Sequence, residues 1–176
     1  MKLNLGCGND IREGWINLDI AELPGIDVVH DVNNLPLPFE ENQFDFILAQ
    51  DLLEHLEYIP LLKDIHRILK PAGIIEIRVP HYTSRYNFID PTHKKRFSHK
   101  TFEFFVKGSS FNRDYYFDFH FEEVMYTHIH FEKGVLIYNH LLEAFVNLSR
   151  KTKTIYEASF LSGIFPAGMM TIRLKK

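Results

Sequence analysis

The sequence contains one cysteine, no long apolar run and no large excess of either charge. A single cysteine cannot form an internal disulfide, and one free thiol fits a reducing compartment. The 20 basic and 23 acidic residues leave a formal charge of −3, without the molecule-wide positive field of a non-specific nucleic-acid binder. No apolar segment approaches the roughly 20 residues that span a bilayer, and the start leaves no room for a signal peptide. We expect a cytoplasmic protein without a membrane span that does not bind nucleic acid.

The 176 residues, 45% of them apolar, are enough for one domain that buries its own core. Short apolar segments separated by turn and helix signals are typical of strands buried on both faces of a mainly parallel sheet. A helix is predicted from Pro60 to about Leu69, where apolar residues recur at helical spacing. The predicted strands of this half cover residues 2–5, 15–20, 26–32, 44–49 and 74–79.

We divide the single domain, residues 1–176, into three parts. Residues 1–80 form the half with the regular α/β pattern, and residues 121–176 supply the remaining sheet and helices, including a helix over 135–150. Residues 81–120 hold 12 of the 25 aromatic residues and follow the carboxyl end of a strand, where open α/β sheets bind ligands. We interpret this segment as a lid or acceptor wall; the alternative is that its aromatic side chains complete the core.

A glycine turn, Gly6-Cys7-Gly8, follows the first strand. Such a turn fits a dinucleotide or S-adenosylmethionine, and alone it does not distinguish them. The dinucleotide fingerprint needs a third glycine where this chain has Ile11, and Asp10 would repel a pyrophosphate. S-adenosylmethionine carries a sulfonium cation and no phosphate, so nearby carboxylates favour it.

Two aspartates follow the next two predicted strands. Asp19 is of the right type to accept both ribose hydroxyls, because an ionised carboxylate offers two acceptor oxygens. Asp31 can accept from the exocyclic amine of adenine. Either aspartate alone could be an ordinary strand-end cap. Their joint placement after the glycine turn predicts an adenosine site.

Six segments in order resemble motifs of the class I S-adenosylmethionine-dependent methyltransferases, especially the type 11 group. The likeness covers residues 1–80 and continues weakly through residues 90–93 (DPTH) and Phe97. The six segments are residues 3–8 (LNLGCG), 16–19 (INLD), 31–36 (DVNNLP), 44–45 (FD), 53–56 (LEHL) and 69–73 (LKPAG).

This resemblance implies a Rossmann-like three-layer sandwich whose mostly parallel seven-stranded sheet has an antiparallel last strand. It also implies that S-adenosyl-L-methionine is the cofactor. The matching positions are Gly6, Cys7 and Gly8 for the methionine part, Asp19 and Ile20 for ribose and adenine, Asp31 and Val32 for the adenine edge, and Gln50 for the sulfonium side.

Two features depart from the family pattern. Asn4 stands where the family usually has an acid. Only about a dozen residues separate Gly6 from Asp19, which is near the minimum for a parallel crossover. We therefore predict a helix of one or two turns between the first two strands.

Three histidines are candidates for orienting or deprotonating an acceptor: His55, His81 and His93. His81 ends a core strand, and His93 lies in the DPTH segment. A metal site is a second interpretation, since imidazole and carboxylate are metal ligands. No suitable pair has the i, i+4 spacing of a helical site, and His128 with His130 lacks a defined third ligand. We predict no metal site. The residues weighed for the metal were His81, Asp90, His93, His99 and His120.

The predicted function is methyl transfer from S-adenosylmethionine to an oxygen or nitrogen of a small-molecule or saccharide acceptor. The asparagine-proline-proline-aromatic motif of base-amino methylases is absent after the fourth strand, where residues 49–52 read AQDL. Two alternatives stay open: a non-catalytic module that binds S-adenosylmethionine, and an NAD-dependent oxidoreductase. A homodimer also stays open, because the apolar helix of the second half could be core or dimer surface.

Overall fold

The computed structural model describes residues 1–134 and 136–176, and its centre is a seven-stranded sheet in the order β3-β2-β1-β4-β5-β7-β6. β7 pairs antiparallel with both of its neighbours, while β1 to β5 pair parallel to one another. This confirms the predicted sheet with its antiparallel last strand. The strands are β1 Lys2–Leu5, β2 Ile16–Asp19, β3 Val28–Val29, β4 Phe44–Gln50, β5 Leu69–Pro80, β6 Glu123–Ile129 and β7 Met169–Lys175.

The central strands form where the sequence has continuous apolar runs. Leu3 and Leu5 of β1 and Ile47 of β4 are fully buried, as expected for strands covered on both faces. β3 is shorter than its predicted range of 26–32. Before it, Asp27 Oδ2 accepts from the Asn17 backbone N–H at 2.7 Å, and after it the Asp31 carbonyl accepts from the Asn34 N–H in a turn. Because β1 pairs parallel with β2 and with β4, the carboxyl ends of these three strands lie at one edge of the sheet.

The helices are α1 Tyr58–Ile68, α2 Tyr86–Ile89, α3 Asn139–Val146, α4 Arg150–Ala158 and α5 Leu161–Ile164. α1 confirms the predicted helix of the first half and buries its apolar side chains against the sheet. The helix predicted over residues 135–150 starts at Val135, which lies outside the described residues. Its remainder is α3, which ends before Ser149 begins α4 with a capping box to Thr152.

The helix predicted between β1 and β2 is wrong: residues 6–15 are turns and loop. Asn4 and Asn17, paired across these two strands, are almost fully buried and bind the loop backbone instead. Asn4 Nδ2 donates to the Asp10 carbonyl at 2.6 Å, and Asn17 Oδ1 accepts from the Arg12 N–H at 2.9 Å. These side chains satisfy backbone groups that a helix would satisfy internally.

This pair makes a prediction for the family-like residue at position 4. Asn4→Asp would place a carboxylate against two acceptors, the Asp10 carbonyl and Asn17 Oδ1. A buried charge without a donor is costly, so we expect the free energy of unfolding to fall by about 3 kcal/mol. Urea denaturation measures it. Asn9→Asp, at an exposed position of the same loop, changes the charge equally and is the control; equal losses in both variants would contradict this role of Asn4.

The aromatic segment that follows β5 folds back over the carboxyl edge of the sheet. The backbone N–H groups of Lys94 and Lys95 donate to the Glu54 carbonyl at 2.7 and 3.1 Å, which fixes this segment against the turn after β4. Many of its aromatic rings belong to the core, as the alternative interpretation stated. The buried phenylalanines here are Phe97, Phe102, Phe105 and Phe119.

Among the described residues, none of the helices combines the length and the apolar character that crossing a membrane requires.

Candidate functional site

The glycine turn after β1 forms a left-handed elbow. Gly6 and Gly8 have φ angles of +67° and +50°, a region that side chains other than glycine rarely adopt. The N–H groups of Gly6 and Cys7 both donate to the Leu18 carbonyl, which ties the elbow to β2. A Cβ added to Gly8 would meet no atom within 4 Å, so the space above the elbow is open.

The carboxylate of Asp19 points into this elbow. Its Oδ2 accepts from the Gly8 N–H at 2.7 Å, and its Oδ1 accepts from the Ala21 N–H at 2.9 Å. An ionised carboxylate has about four acceptor positions, so two backbone donors leave room for two hydroxyl donors. Asp19 therefore both shapes the turn and presents free lone pairs at the strand end.

The neighbouring end of β3 brings the predicted adenine residues to the same edge. The His30 N–H donates to the Asp19 carbonyl at 2.9 Å, which places Asp31 and Val32 just beyond the β2 end. Asp31 Oδ1 accepts from the backbone N–H and from the side-chain amide of Asn33. The backbone bond and then the side-chain bond lower the pKa of the Asp31 carboxyl. Val32 is buried, whereas Ile20 exposes 65% of its surface.

Gln50 ends β4 beside the elbow. Leu5 of β1 pairs with Ala49 of β4, so Gly6 and Gln50 occupy the next, adjacent positions of the two parallel strands. A Cβ on Gly6 would come within 2.8 Å of the Leu52 side chain, which confirms that the chain after β4 packs directly on the elbow. The predicted methionine-side residues thus lie together.

A second group of residues lies in and above the turn that follows β4. Glu54 and His55 belong to the 3₁₀ helix Leu53–His55, and His93 comes from the segment folded back over it. The His55 and His93 rings pack edge to face with centroids 4.6 Å apart. One ligand atom from each of Glu54, His55 and His93 lies within 4.8 Å of the others. We call these three residues the Glu54 cluster.

Burial dominates the electrostatics of the Glu54 cluster. Glu54 is 1% exposed, and burial, with a further contribution from the Asp51 charge, raises the pKa of its carboxyl to about 7. Burial and the neighbouring His93 lower the pKa of His55. A neutral imidazole and a carboxyl poised near neutral pH are groups that can accept or hold a proton during a reaction.

The structure gives His81 a different environment from His55 and His93. Its ring is fully buried, with Nδ1 2.8 Å from Thr83 Oγ1 and Nε2 2.9 Å from Glu157 Oε1. Both ring nitrogens are therefore occupied by protein partners. Cys7 is also buried, and burial followed by the charge of Asp19 raises the pKa of its thiol, so it is not an activated nucleophile.

Residues 7–77 match the sequence model of a methyltransferase domain family. The match begins in the elbow and ends within β5, so it covers the strand ends described above. Residues 7–77 are thus similar to a methyltransferase domain family. This similarity agrees with the predicted family, enzyme class and cofactor.

Curated relatives match this chain over part of their length. A demethylmenaquinone methyltransferase of Staphylococcus epidermidis is 29% identical over 120 residues, which cover 60% of this chain and 49% of that protein. A protein of the same name from Lysinibacillus sphaericus is 29% identical over 76 residues, covering 39% of this chain and 32% of that protein. The chain spans about half the length, or less, of these curated relatives.

Solved structures share the fold of this chain. An S-adenosylmethionine-dependent methyltransferase from Archaeoglobus fulgidus superposes with a TM-score of 0.57 at 21% identity, covering 99% of this chain and 85% of that one. A second, from Mesorhizobium loti, has a TM-score of 0.55 at 14% identity and covers 99% and 90%. These likenesses confirm the predicted fold class.

The side chains at this edge fit S-adenosylmethionine chemically. The Asp19 carboxylate lies at an open glycine elbow, and Asp31 follows the neighbouring strand, an arrangement that suits a ligand with a sulfonium cation. Asp51, after β4, is paired with Arg78. The connection after the elbow lacks a helix, whose N-terminus would favour a phosphate. A diphosphate would meet carboxylates here without that compensation.

Glu54 was not singled out in the sequence beyond the LEHL segment, and the structure buries it. The signal was local, because Leu53 and Leu56 flank it and both are buried. Thr92 was not singled out either. Its Oγ1 lies 2.8 Å from His55 Nδ1 and donates to Asp90 Oδ1 at 2.6 Å, so it connects the DPTH segment to the Glu54 cluster.

Proposed function

We propose that this chain binds S-adenosyl-L-methionine at the ends of β1 to β4 and transfers its methyl group to a small-molecule or saccharide acceptor. The observation that carries the proposal is the Asp19 carboxylate, which is held at the elbow by the Gly8 N–H at 2.7 Å. An adenosine can be bound at the elbow only if the Asp19 carboxylate points toward it.

We assign the cofactor contacts by position. Gly6, Cys7 and Gly8 lie against the methionine part. Asp19 accepts from the ribose hydroxyls beside the exposed side chain of Ile20, Asp31 and Val32 border the adenine, and Gln50 faces the sulfonium side. Support comes from the strand register, which brings all of these positions to one edge of the sheet.

The bound cofactor supplies an already activated methyl group, so the protein has to align the acceptor and keep water away. His55 and His93 lie above the turn that packs on the elbow, and we propose that this pair positions or deprotonates the acceptor. A hydroxyl acceptor needs such help, and general-base assistance gives about 10² to 10⁴ in rate. Both ring nitrogens of His81 are bonded to protein groups, so we assign it a positioning role through its bond to Glu157.

A cavity beside His93 is our proposed acceptor site. Its volume is about 380 Å³, and its walls include Tyr58, Asn87 and the basic run Lys94, Lys95 and Arg96. Asn87 is buried and its Oδ1 has no hydrogen-bond partner among the described residues. The cavity wall therefore combines an amide residue, an aromatic ring and positive charge, which suit a hydroxylated acceptor with a phosphate or carboxylate group.

The relatives support a small acceptor, since their names give a quinone-type molecule as the substrate of those proteins. The non-catalytic alternative has its own observation: a loop replaces the helix after the elbow. Because that loop is held by the asparagine pair, we expect a formed cofactor site in either case. A turnover measurement, and not a binding measurement, therefore distinguishes a methyltransferase from a non-catalytic module.

Calorimetric titration with S-adenosylmethionine, S-adenosylhomocysteine and NAD tests the site. We expect both adenosyl ligands to bind and NAD to give no heat, because the acidic edge disfavours a diphosphate. Labelled methyl groups should then pass from the cofactor to a component of a metabolite extract. No binding at millimolar S-adenosylmethionine would contradict the cofactor site; binding without methyl transfer would leave the regulatory module.

A further inference from the structure

The Glu54 cluster contains buried polar atoms that the protein leaves without partners. Glu54 is 1% exposed, and its Oε2 has no hydrogen bond within the described part of the chain. The His93 side chain is 8% exposed, and its Nδ1 likewise lacks a partner there. Buried polar atoms without a partner are unfavourable. These two atoms lie in one cluster with His55 and are available to coordinate an ion.

The surroundings of the two histidines favour a cation in that position. His55 Nδ1 is bonded to Thr92 Oγ1, whose hydrogen goes to Asp90 Oδ1 at 2.6 Å. Thr92 then accepts from Nδ1–H, which leaves the lone pair of His55 on Nε2. His93 Nε2 lies 3.7 Å from Asp90 Oδ2, on the same carboxylate. A carboxylate behind a metal-binding histidine fixes the ring tautomer in this way, here for His55 through Thr92. At His93 the same carboxylate is a neighbouring negative charge and not a hydrogen-bond partner.

A second cluster of the same residue types provides a comparison. His128, His130 and Glu143 also bring ligand atoms within 4.8 Å of one another. Here the Glu143 oxygens accept from His128, Lys133 and the Phe131 N–H, and His130 Nε2 bonds to Thr171. These polar groups already satisfy each other, and Lys133 supplies the positive charge. The Glu54 cluster has no corresponding lysine partner among the described residues.

We propose that Glu54, His55 and His93 bind one divalent transition-metal ion. One carboxylate and two imidazoles form a donor set that Zn²⁺, Co²⁺ and Mn²⁺ accept, with positions left open for an exogenous ligand. The helical spacing sought in the sequence is absent because the ligands come from two segments joined by the Glu54 carbonyl contacts. The binding site itself is independent of the proposed function.

The role of the ion rests on the proposed function. His93 lines the proposed acceptor cavity, so an ion held by it would reach an acceptor oxygen placed there. A divalent ion orients such an oxygen and lowers the pKa of a hydroxyl. His55 and His93 would then act as ligands, and the acceptor proton would leave to solvent or to another base.

The test uses the purified, untagged full chain after chelator treatment, titrated with Zn²⁺ by calorimetry and with Co²⁺ by visible absorption. We expect one equivalent of either ion and Co²⁺ bands of a site with nitrogen ligands. His93→Ala and Glu54→Gln should each weaken Zn²⁺ binding at least tenfold. His128→Ala, in the comparison cluster, should leave it unchanged. Circular dichroism verifies folding, and His55→Gln replaces any variant that fails to fold.

Wild-type affinity retained in the Glu54-cluster variants, or loss only in His128→Ala, would overturn the proposed site. Absence of stoichiometric Zn²⁺ and Co²⁺ binding in the wild type would overturn it as well. The same samples are titrated with S-adenosylmethionine. Cofactor binding without metal binding removes the metal site alone, whereas metal binding without cofactor binding removes the proposed function and leaves the metal site standing.

Discussion

Glu157→Gln is expected to lower the free energy of unfolding by about 3 kcal/mol at pH 7, because removing one partner of a buried charged network leaves the others unpaired. The Glu157 carboxylate accepts from His81 Nε2 at 2.9 Å, from the His99 N–H at 2.8 Å and from Ser98 Oγ at 2.6 Å. A glutamine keeps one acceptor oxygen, but its amide NH₂ group would face partners that also donate hydrogen bonds. Urea unfolding measures the loss.

The pH dependence of stability gives this prediction a second readout. Burial opposes the Glu157 charge, but hydrogen bonds from His81, His99 and Ser98 outweigh it and hold the pKa of the carboxyl well below its ordinary value of 4.5. A lowered folded-state pKa means that this stabilisation is present above about pH 4.5 and is lost as the pH falls below it. The acid-induced loss should therefore be shallower in Glu157→Gln than in the wild type.

Glu122→Gln is the matched control, since Glu122 forms an exposed ion pair with Lys175. Exposed pairs add little stability, so this variant should unfold nearly as the wild type does. Equal unfolding midpoints for Glu157→Gln and the wild type would show that the carboxylate network is not what fixes α4 to the end of β5.

The strands of the first half could be predicted because their signal is local. β1, β4 and α1 follow from apolar spacing within a few residues, and burial in the structure agrees with that spacing. The loop after β1 could not be predicted in the same way. It depends on Asn4 and Asn17 lying side by side, and that pairing exists only once two strands have taken their register. Position 4 needs a donor side chain in this loop, because Asn4 Nδ2 donates to the Asp10 carbonyl.

The candidate site was predictable in its cofactor half and less so in its acceptor half. The glycine turn, Asp19 and Asp31 each stand at or just after the end of a different parallel strand, so parallel topology alone brings them together. His55 meets Thr92, 37 residues later, through a chain that folds back by backbone hydrogen bonds to Glu54. His81 meets Glu157 across 76 residues. Contacts between residues so far apart along the chain produce no periodic pattern in the sequence.

The largest expected effect on binding is that of Asp19→Ala, which should weaken S-adenosylmethionine binding about a hundredfold, equivalent to about 2.7 kcal/mol. Two hydrogen bonds from ribose hydroxyls to a carboxylate can supply at least that much, since bonds to charged groups contribute about 1.5 to 3 kcal/mol each. Calorimetry gives the ratio of Kd values. Asp19→Asn keeps one acceptor oxygen for the elbow or the ribose and should fall between alanine and the wild type.

The elbow itself could account for part of that loss, because Asp19 also accepts from the Gly8 and Ala21 N–H groups. Unfolding measurements on Asp19→Ala separate the two contributions. A structural role alone predicts lower stability with a Kd that recovers at low temperature, whereas a ribose contact predicts a weaker Kd at every temperature. Asp118→Ala, an exposed aspartate paired with Lys63 on α1, should bind S-adenosylmethionine as the wild type does. A Kd for Asp19→Ala within threefold of the wild type would remove the adenosine site from the ends of β2 and β3.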